Sequence, residues 1–393
     1  MFNMTIEQKS LMKALGFLEI GIGKSAPYLY MNTESAGIVQ MFTTDGIQYT
    51  TVDMISSSTS SVNEDCPVLD FKKFKTIVST IPDSEFVEVK DNGSGSVNIS
   101  YGIRKPMKLN GLNIGRAQKL SPNLPSANEV TLPANKMYSM AKNASIVVDK
   151  DNTTVIYRCM RIEVAGYDIN ATAVDYTNKR VFCQKEQAIV GNRSGVIMIE
   201  APKLAKVINA IEPFFDSIII NQDASVISVE PIDIKGGSSP WFSSLTYYVR
   251  QVAGNFPTTI SQMFASAPAE YAEVSSEELE ATLGKVKAIH ENVVGVQSSA
   301  VDIHVHDDLM EVSYASTYGE ISDEIALENQ VSMDFICKVN YLGLLDIIKS
   351  FDTKTFYISE MPGTASNYIL RNDLSNANCA LFGIAGIVTT STP

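Results

Sequence analysis

The sequence FKTIVSTI, residues 74–81, carries apolar side chains at its first, fourth, fifth and eighth positions. This spacing places the four side chains on one face of an α-helix. The same pattern returns at residues 204–211 and again at residues 341–348. Three occurrences at similar intervals predict one structural unit that is repeated three times.

A second helical pattern precedes each of these segments at a nearly constant distance. Its apolar positions are Ile6, Leu11, Leu15 and Leu18, then Leu132, Met137, Ala141 and Ala144, then Val274, Leu279, Leu283 and Val286. The two patterns are 63, 67 and 62 residues apart, measured from Leu11 to Phe74, from Met137 to Leu204 and from Leu279 to Tyr341. Thr5 and Ser275 each open a capping box for this helix, and Pro133 suits the first turn of the middle copy.

Short runs of alternating apolar and polar residues lie between and after the helices, and such runs predict antiparallel strands. They span residues 37–42, 48–53, 86–89, 161–164, 168–174, 217–220, 301–306, 311–314 and 355–358. Each unit therefore follows the order helix, strands, helix, strands, which is an α+β domain with two helices packed on antiparallel sheet. We predict three domains, residues 1–126, 127–268 and 269–393.

The net charge of −13 is not spread evenly along the chain. Basic and acidic residues balance in the first two predicted domains, at 12 each and at 13 each. The third predicted domain holds 6 basic and 19 acidic residues, so the whole excess belongs to it. An acidic total counts against a nucleic-acid partner, but this objection does not apply to the first two domains.

The composition favours a cytoplasmic protein. No apolar run approaches the roughly 18 residues of a membrane-spanning helix, and residues 1–9 contain no basic stretch followed by an apolar core. The five cysteines are widely spread and form no Cys-x-x-Cys pair. Such spacing favours a reducing compartment over a disulfide framework.

The chain contains no strong catalytic motif. Gly21-Ile22-Gly23-Lys24-Ser25 resembles the end of a phosphate-binding loop, but Leu18 stands where that loop needs a glycine. Asp302, His304 and His306 alternate along one strand face and could begin a metal site. The sequence singles out no further ligand, so we interpret this segment as a solvated acidic edge and expect no metal, no cofactor and no enzyme activity.

Lysines recur on the predicted helices of the first two domains. They are Lys9, Lys13, Lys72, Lys73 and Lys75 in the first domain and Lys136, Lys142, Lys203 and Lys206 in the second. Such lysines commonly form a solvated helix face. Alternatively, the equivalent helices turn toward one polyanion and contact its backbone phosphates without reading sequence.

Short motifs complete the pattern, and their order is informative. They are Met4-Thr5-Ile6-Glu7 with Leu11-Met12-Lys13, Leu132-Pro133, Ala171-Thr172-Ala173-Val174-Asp175 followed by Val181-Phe182-Cys183, and Gly254-Asn255-Phe256-Pro257. Together with the three units, they resemble the bacterial DNA sliding clamp, the beta subunit of the replicative DNA polymerase III. The resemblance covers nearly the whole chain.

The resemblance implies a head-to-tail homodimeric ring of six domains, with helices lining a channel for duplex DNA. It implies a processivity factor that a clamp loader places on DNA and that tethers a DNA polymerase. By similarity, Lys24 and Lys150, on the loops after the first helices of the first two domains, would contact DNA with the helix lysines. Two alternatives stay open: a clamp-like adaptor or replisome antagonist that does not close into a ring, and a hydrolase centred on the acidic third domain.

The resemblance also implies a pocket for hydrophobic peptides of polymerases and the loader, around Val174, Tyr176, Pro257 and Ile384. The chain departs from the family here, because residues 176–180 replace its usual Gly-His-Arg. This mismatch favours a divergent member from a phage or plasmid.

The uneven charge suggests how a ring would close. In a head-to-tail dimer, Arg104, Lys105 and Lys108 of the first domain would face the acidic third domain of the partner subunit.

Overall fold

The computed structural model describes twelve segments of the chain, which are residues 1–23, 27–58, 65–115, 129–177, 180–191, 194–223, 226–236, 242–257, 268–291, 299–362, 367–374 and 381–385. Six α-helices lie within them. They are α1 (Gln8–Leu18), α2 (Phe71–Ser79), α3 (Ala134–Val147), α4 (Ala201–Ile211), α5 (Ser276–His290) and α6 (Tyr341–Phe351).

The same segments contain 25 strands, and every strand pairing among them is antiparallel. The first thirteen are β1 (Asn3–Glu7), β2 (Tyr28–Ser35), β3 (Ile38–Thr44), β4 (Gln48–Ile55), β5 (Leu69–Asp70), β6 (Phe86–Asp91), β7 (Ser96–Ser100), β8 (Met107–Asn110), β9 (Glu129–Pro133), β10 (Cys159–Ala165), β11 (Asp168–Asp175), β12 (Arg180–Gln187) and β13 (Val190–Gly191). The others are β14 (Ser194–Glu200), β15 (Phe215–Gln222), β16 (Val226–Ile234), β17 (Ser244–Arg250), β18 (Ala272–Ser275), β19 (Ala300–His306), β20 (Leu309–Ser316), β21 (Gly319–Ala326), β22 (Phe335–Asn340), β23 (Thr355–Glu360), β24 (Asn367–Arg371) and β25 (Leu381–Ala385). The predicted α+β class with antiparallel sheets is confirmed.

The chain divides into two compact units. Unit 1 comprises Met1–Met137, Ile189–Arg193 and Lys206–Gln251. It contains a nine-stranded sheet in the order β13-β9-β15-β16-β17-β4-β3-β2-β5 and a four-stranded sheet in the order β1-β6-β7-β8. Helix α1 packs against α2 and against strands β3 and β4.

Unit 2 comprises Tyr138–Ala188, Ser194–Ala205 and Val252–Pro393. It contains an eight-stranded sheet in the order β14-β10-β11-β12-β25-β24-β23-β18 and a four-stranded sheet in the order β21-β20-β19-β22. Helices α5 and α6 pack against each other. The middle third of the chain contributes to both units, and the division into three domains stays a prediction.

A short strand precedes the first helix of each repeat, which differs from the predicted helix starts. Ile6, Leu132 and Val274 lie in β1, β9 and β18, and each of these strands pairs with the strand that follows the second helix. Thr5 therefore belongs to a strand and caps no helix. Pro133 is the last residue of β9 instead of lying in the first turn of α3.

Three helix starts have side-chain caps. Ser275 accepts a hydrogen bond from the backbone N–H of Glu278 at 3.3 Å, as its capping box predicts. Asp70 and Asn340 cap α2 and α6 in the same way, by accepting from the N–H groups of Lys73 and Gly343. Such caps satisfy amide groups that have no partner inside the helix.

The structure corrects the alignment of the third repeat. Counted from the first helical residue, Phe74 in α2 and Leu204 in α4 correspond to Leu344 in α6, not to Tyr341. The separation from Leu279 is then 65 residues instead of 62. Sequence spacing alone allowed either alignment, because Tyr341 and Leu344 are both apolar and both buried.

The core consists of apolar side chains between helices and sheets, including Leu11, Phe74 and Leu344. Cys66, Cys159, Cys183 and Cys337 are also buried. Burial raises the pKa of the Cys159 thiol to about 12 and raises the pKa of the Cys337 thiol as well. No helix among the described residues is long and apolar enough to cross a membrane.

Candidate nucleic-acid interface

Helices α1, α2, α3 and α4 carry nine lysines and no acidic residue. These nine are the lysines that the sequence singled out on helices. By contrast, α5 and α6 together carry three lysines and four acidic residues. All charged residues within the first four helices are therefore positive, which is not true of the last two.

In α1 and α2 the burial pattern turns the lysines outward. Lys9 and Lys13 are exposed, whereas Leu11 and Leu15 between and after them are fully buried. Lys72 and Lys73 are likewise exposed next to the buried Phe74 of α2. This is the arrangement of an amphipathic helix, and every charged side chain on the two helices is cationic.

The end of α4 lies beside α1 within unit 1. The Lys13 ammonium stands 5.6 Å from the centre of the Phe214 ring, which follows α4. A groove of about 410 Å³ is lined by Gly16, Glu19 and Ile20 on one side and by Lys206, Asn209 and Ala210 on the other. Lys206 of the second repeat therefore lines the groove beside α1, and Lys13 of the first repeat contacts the segment that follows α4.

Lys75 and Lys203 are partly neutralised by carboxylates. Lys75 lies 2.7 Å from Glu19 and Lys203 lies 3.0 Å from Glu200, measured between Nζ and a carboxylate oxygen. Surface pairs of this kind contribute little stability, but each removes one positive charge from the surface. Lys136 and Lys142 on α3 are half-buried, as are Lys75 and Lys203.

Of the two loop lysines, Lys150 lies among the described residues. Lys24 lies outside the described residues. Lys150 is exposed on the turn that follows α3, between Asp149 and Asp151. The two neighbouring carboxylates make the surroundings of Lys150 less positive than those of the helix lysines.

Gly21, the first glycine of the Gly21-Ile22-Gly23-Lys24 segment, has a packing role. A Cβ on Gly21 would lie 2.2 Å from Oγ1 of Thr50 and 2.6 Å from Oγ1 of Thr43. Both hydroxyls donate hydrogen bonds to the carbonyl oxygen of Leu18 and so satisfy the end of α1. The close approach of these strands explains the glycine without a phosphate-binding loop.

Val174, predicted as a pocket residue, lies in an apolar cluster of unit 2. Its partners there are Ile156, Val181, Met198 and Phe256, with Tyr157, Val196 and Val252 at the edge. Val174 is only 2% exposed, whereas Tyr176 is 53% exposed and contacts Tyr157 edge-on, with ring centres 5.2 Å apart. Partial burial and the neighbouring Tyr157 raise the pKa of Tyr176.

Tyr157 and the apolar cluster partners Ile156 and Met198 were not expected from the sequence. Ile156 and Tyr157 belong to a short 3-10 helix, Val155–Arg158, which gives no recognisable period. The glycine at position 254 was one signal in the sequence for a close contact. In the structure its φ is 147°, and a Cβ there would lie 2.9 Å from Ile156. Pro257 is half-buried directly after Phe256 of the cluster.

Ile384 is joined to this region through the sheet. It is 5% exposed and lies opposite Arg180, whose guanidinium pairs with Asp175 at 2.9 Å. The Asp175 side chain is fully buried and that of Arg180 is 12% exposed. Val174, Tyr176 and Ile384 are thus brought to one part of the eight-stranded sheet.

The basic residues predicted at a subunit interface lie at the edge of a four-stranded sheet. Arg104 and Lys105 are exposed in the connection from β7 to β8, and Lys108 is exposed on β8. The neighbouring Ile103 is fully exposed. Because β8 is the last strand in the order β1-β6-β7-β8, one of its edges has no partner among the described strands.

Comparison with known proteins gives a structural match only. No protein-family model matches the chain, and no curated protein sequence does. The DNA polymerase III beta subunit from Thermotoga maritima aligns with a TM-score of 0.82 at 16% identity, over 99% of this chain and 100% of that one. The beta subunit from DNA polymerase of Streptococcus pyogenes gives 0.81 at 15% identity, over 98% and 100%. A DNA polymerase sliding clamp from Pseudomonas aeruginosa gives 0.80 at 12% identity, over 99% and 100%. The chain therefore has the fold of the bacterial DNA polymerase III beta subunit, the sliding clamp.

Proposed function

We propose that this chain is a DNA sliding clamp, a non-enzymatic processivity factor that encircles duplex DNA and tethers a replicative polymerase. One observation carries the proposal: four helices of a clamp fold bear nine lysines and no carboxylate. The overall charge of −13 would argue against DNA if it were spread evenly. It is instead concentrated in the last third of the chain.

The chemistry of these lysines suits a protein that moves along DNA. Lysine ammonium groups on flexible stems are point charges and do not grip phosphate bidentately, as arginine does. Contacts with the backbone carry no sequence information. A mildly positive surface therefore holds a duplex without fixing its register, and topology supplies the retention.

We propose that two copies close head to tail into a ring. Arg104, Lys105 and Lys108 are exposed, and the last third of the chain holds 6 basic and 19 acidic residues. Opposite charges steer encounter and set orientation. Sedimentation should show a dimer that weakens as salt is raised, and a dimer indifferent to salt would refute the electrostatic part.

We propose further that a hydrophobic peptide of a polymerase or clamp loader binds beside Tyr176, above the cluster that contains Val174. The support is an exposed aromatic ring that is continuous with a buried apolar cluster. Tyr176→Ala should weaken capture of such a peptide at least tenfold. Tyr167→Ala is the matched control, because Tyr167 is 57% exposed on the β10–β11 turn and lies outside this cluster.

The decisive experiment separates encirclement from ordinary binding. Labelled protein is loaded on nicked circular plasmid with a clamp loader and ATP, and the plasmid is then cut once. A clamp stays on the circle and leaves the linear product. Equal retention on both would indicate ordinary DNA binding, and a monomer of 42.9 kDa that is retained on neither would favour the adaptor alternative. Residence of the complex in the cytoplasm is part of the same proposal.

A further inference from the structure

The hairpin formed by β19 and β20 brings two histidines and one glutamate together. A two-residue turn, Asp307-Asp308, connects the strands, with Asp307 at φ 48°. The register places His304 directly opposite Glu311, and His306 lies two residues farther along the same face. On the opposite face Val301, Ile303 and Val305 are buried, so the three polar side chains lie on the solvent side.

The donor atoms of these side chains have the spacing of a metal site. Nδ1 of His304 lies 3.5 Å from Oε2 of Glu311, and Nε2 of His306 lies 3.6 Å from Oε1 of Glu311. One ligand atom from each of the three residues can be chosen so that all lie within 4.8 Å of one another. Ligands about 2.1 Å from a tetrahedral Zn²⁺ are about 3.4 Å apart, and each imidazole nitrogen lies close to this distance from a different oxygen of Glu311.

The remaining nitrogen of each imidazole faces a different carboxylate. Nε2 of His304 lies 2.9 Å from Asp334, and Nδ1 of His306 lies 3.3 Å from Asp307. If the outer nitrogen of each ring carries the proton and donates it to its carboxylate, the lone pair of the inner nitrogen is directed toward Glu311, where a cation would lie. Carboxylates that orient the ring of a ligating histidine are typical of zinc sites.

We propose that His304, His306 and Glu311 bind a divalent transition-metal cation of the Zn²⁺ class, with Asp334 and Asp307 orienting the two imidazoles. Two histidines and one carboxylate are a known zinc ligand set that leaves one position for water or a fourth donor. The three side chains are 30%, 23% and 44% exposed, so the ion would be accessible. Asp302 is not among the ligands, because it pairs with Lys338 at 3.3 Å.

This proposal replaces the expectation of a solvated acidic edge without metal. The missing ligand, Glu311, was present in the sequence but on the next strand. The tight turn at Asp307-Asp308 was the signal that could have identified it, because a two-residue hairpin fixes His304 opposite Glu311.

The test is calorimetric titration of the untagged full-length protein with ZnCl₂, followed by Co²⁺ absorption spectroscopy as a report on coordination. The wild type should bind one equivalent at this site and give the visible bands of tetrahedral Co²⁺. His304→Ala, His306→Ala and Glu311→Gln should each weaken binding at least tenfold. Asp334→Asn, which removes an orienting partner, should weaken it about 10–100-fold.

Glu320→Gln is the matched control. Glu320 lies on the same sheet face but on the neighbouring strand β21, opposite Ala315. Ala315 is four residues from Glu311 along β20, a separation of about 13 Å. Glu320→Gln should bind as the wild type does. Absence of binding by the wild type, or equal weakening by Glu320→Gln and Glu311→Gln, would overturn the proposal. Circular dichroism without metal identifies any misfolded variant, and Glu311→Gln, the mildest change, then carries the test.

Discussion

The third residue of the second helix differs between the repeats, and the contrast separates fold from function. It is Lys73 in α2, Lys203 in α4 and Gly343 in α6. Lys73 is exposed, whereas Gly343 is buried, with its Cβ position 3.1 Å from Nη1 of Arg180. The apolar stripe beside this position is common to all three helices. The packed stripe is therefore common to the three helices, while the position beside it carries a positive charge in two copies and packs against Arg180 in the third.

The largest expected effect is on the shared stripe. Phe74→Ala should lower the free energy of unfolding by about 3–5 kcal/mol and Leu344→Ala by about 2–5 kcal/mol, because both side chains are fully buried. Denaturant unfolding followed by circular dichroism measures both. If only one variant were destabilised, the two helices would not be structural equivalents.

The next-largest expected effect on stability concerns the third position of the second helix, which is Lys73 in α2 and Gly343 in α6. Gly343→Lys should destabilise the protein by about 1–3 kcal/mol, because a long side chain must displace Arg180 and adds a like charge beside it. The reciprocal change Lys73→Gly should cost only about 1 kcal/mol, the helix propensity of glycine. Thermal unfolding of both variants compares them, and equal losses would contradict the proposed contact.

The charge difference predicts a difference in DNA binding. Replacing Lys9, Lys72 and Lys73 by glutamine should lower affinity for a short duplex more than tenfold at low salt. The slope of log K against log salt should fall by about 0.9 for each lysine that contacts a phosphate.

The control for this prediction removes the same number of lysines from the other helix pair. Its positions are Lys285, Lys287 and Lys349. Fluorescence anisotropy over a range of salt concentrations measures both triple variants. Equal slopes for the two would mean that the first helix pair does not face DNA.

The smallest expected effect is a pH dependence of stability that arises from Asp323, in the last third of the chain. Asp323 accepts hydrogen bonds from Lys285 and Thr282, and these contacts lower the pKa of its carboxyl group. The stability from this contact is present above the unfolded pKa of about 3.9 and is lost as the pH falls through the lower folded value. Asp323→Asn should therefore flatten the acid side of the stability curve by less than about 1 kcal/mol. An unchanged curve would show that the pairing is immaterial.

The helices and most strands were predictable because their burial follows a local period. The strands at Ile6, Leu132 and Val274 were not, because each extends the apolar pattern of the following helix by one residue that could belong to either element. The lysine-rich helices could also be recognised from local sequence. Nine of the eleven lysines predicted to contact DNA lie on helices that bear no carboxylate, and the other two are Lys24 and Lys150.

The apolar cluster around Val174 was only partly predictable. Its members Ile156 and Met198 come from segments with no sequence relation to Val174, and only the folded sheet joins them. Arg180 offers a similar case. Its pairing with Asp175 follows from the register of β11 and β12, but its contact with Gly343 depends on where α6 packs.

The buried cysteines make the protein well suited to fluorescent labelling. Maleimides react with thiolates, and a thiol with a pKa of about 12 is ionised at pH 7 in only about one molecule in 10⁵. A single cysteine introduced by Tyr167→Cys on the exposed β10–β11 turn, with Cys379→Ser made beforehand, would therefore take up a dye selectively. Single-molecule imaging of that dye could then follow diffusion of the protein along stretched DNA.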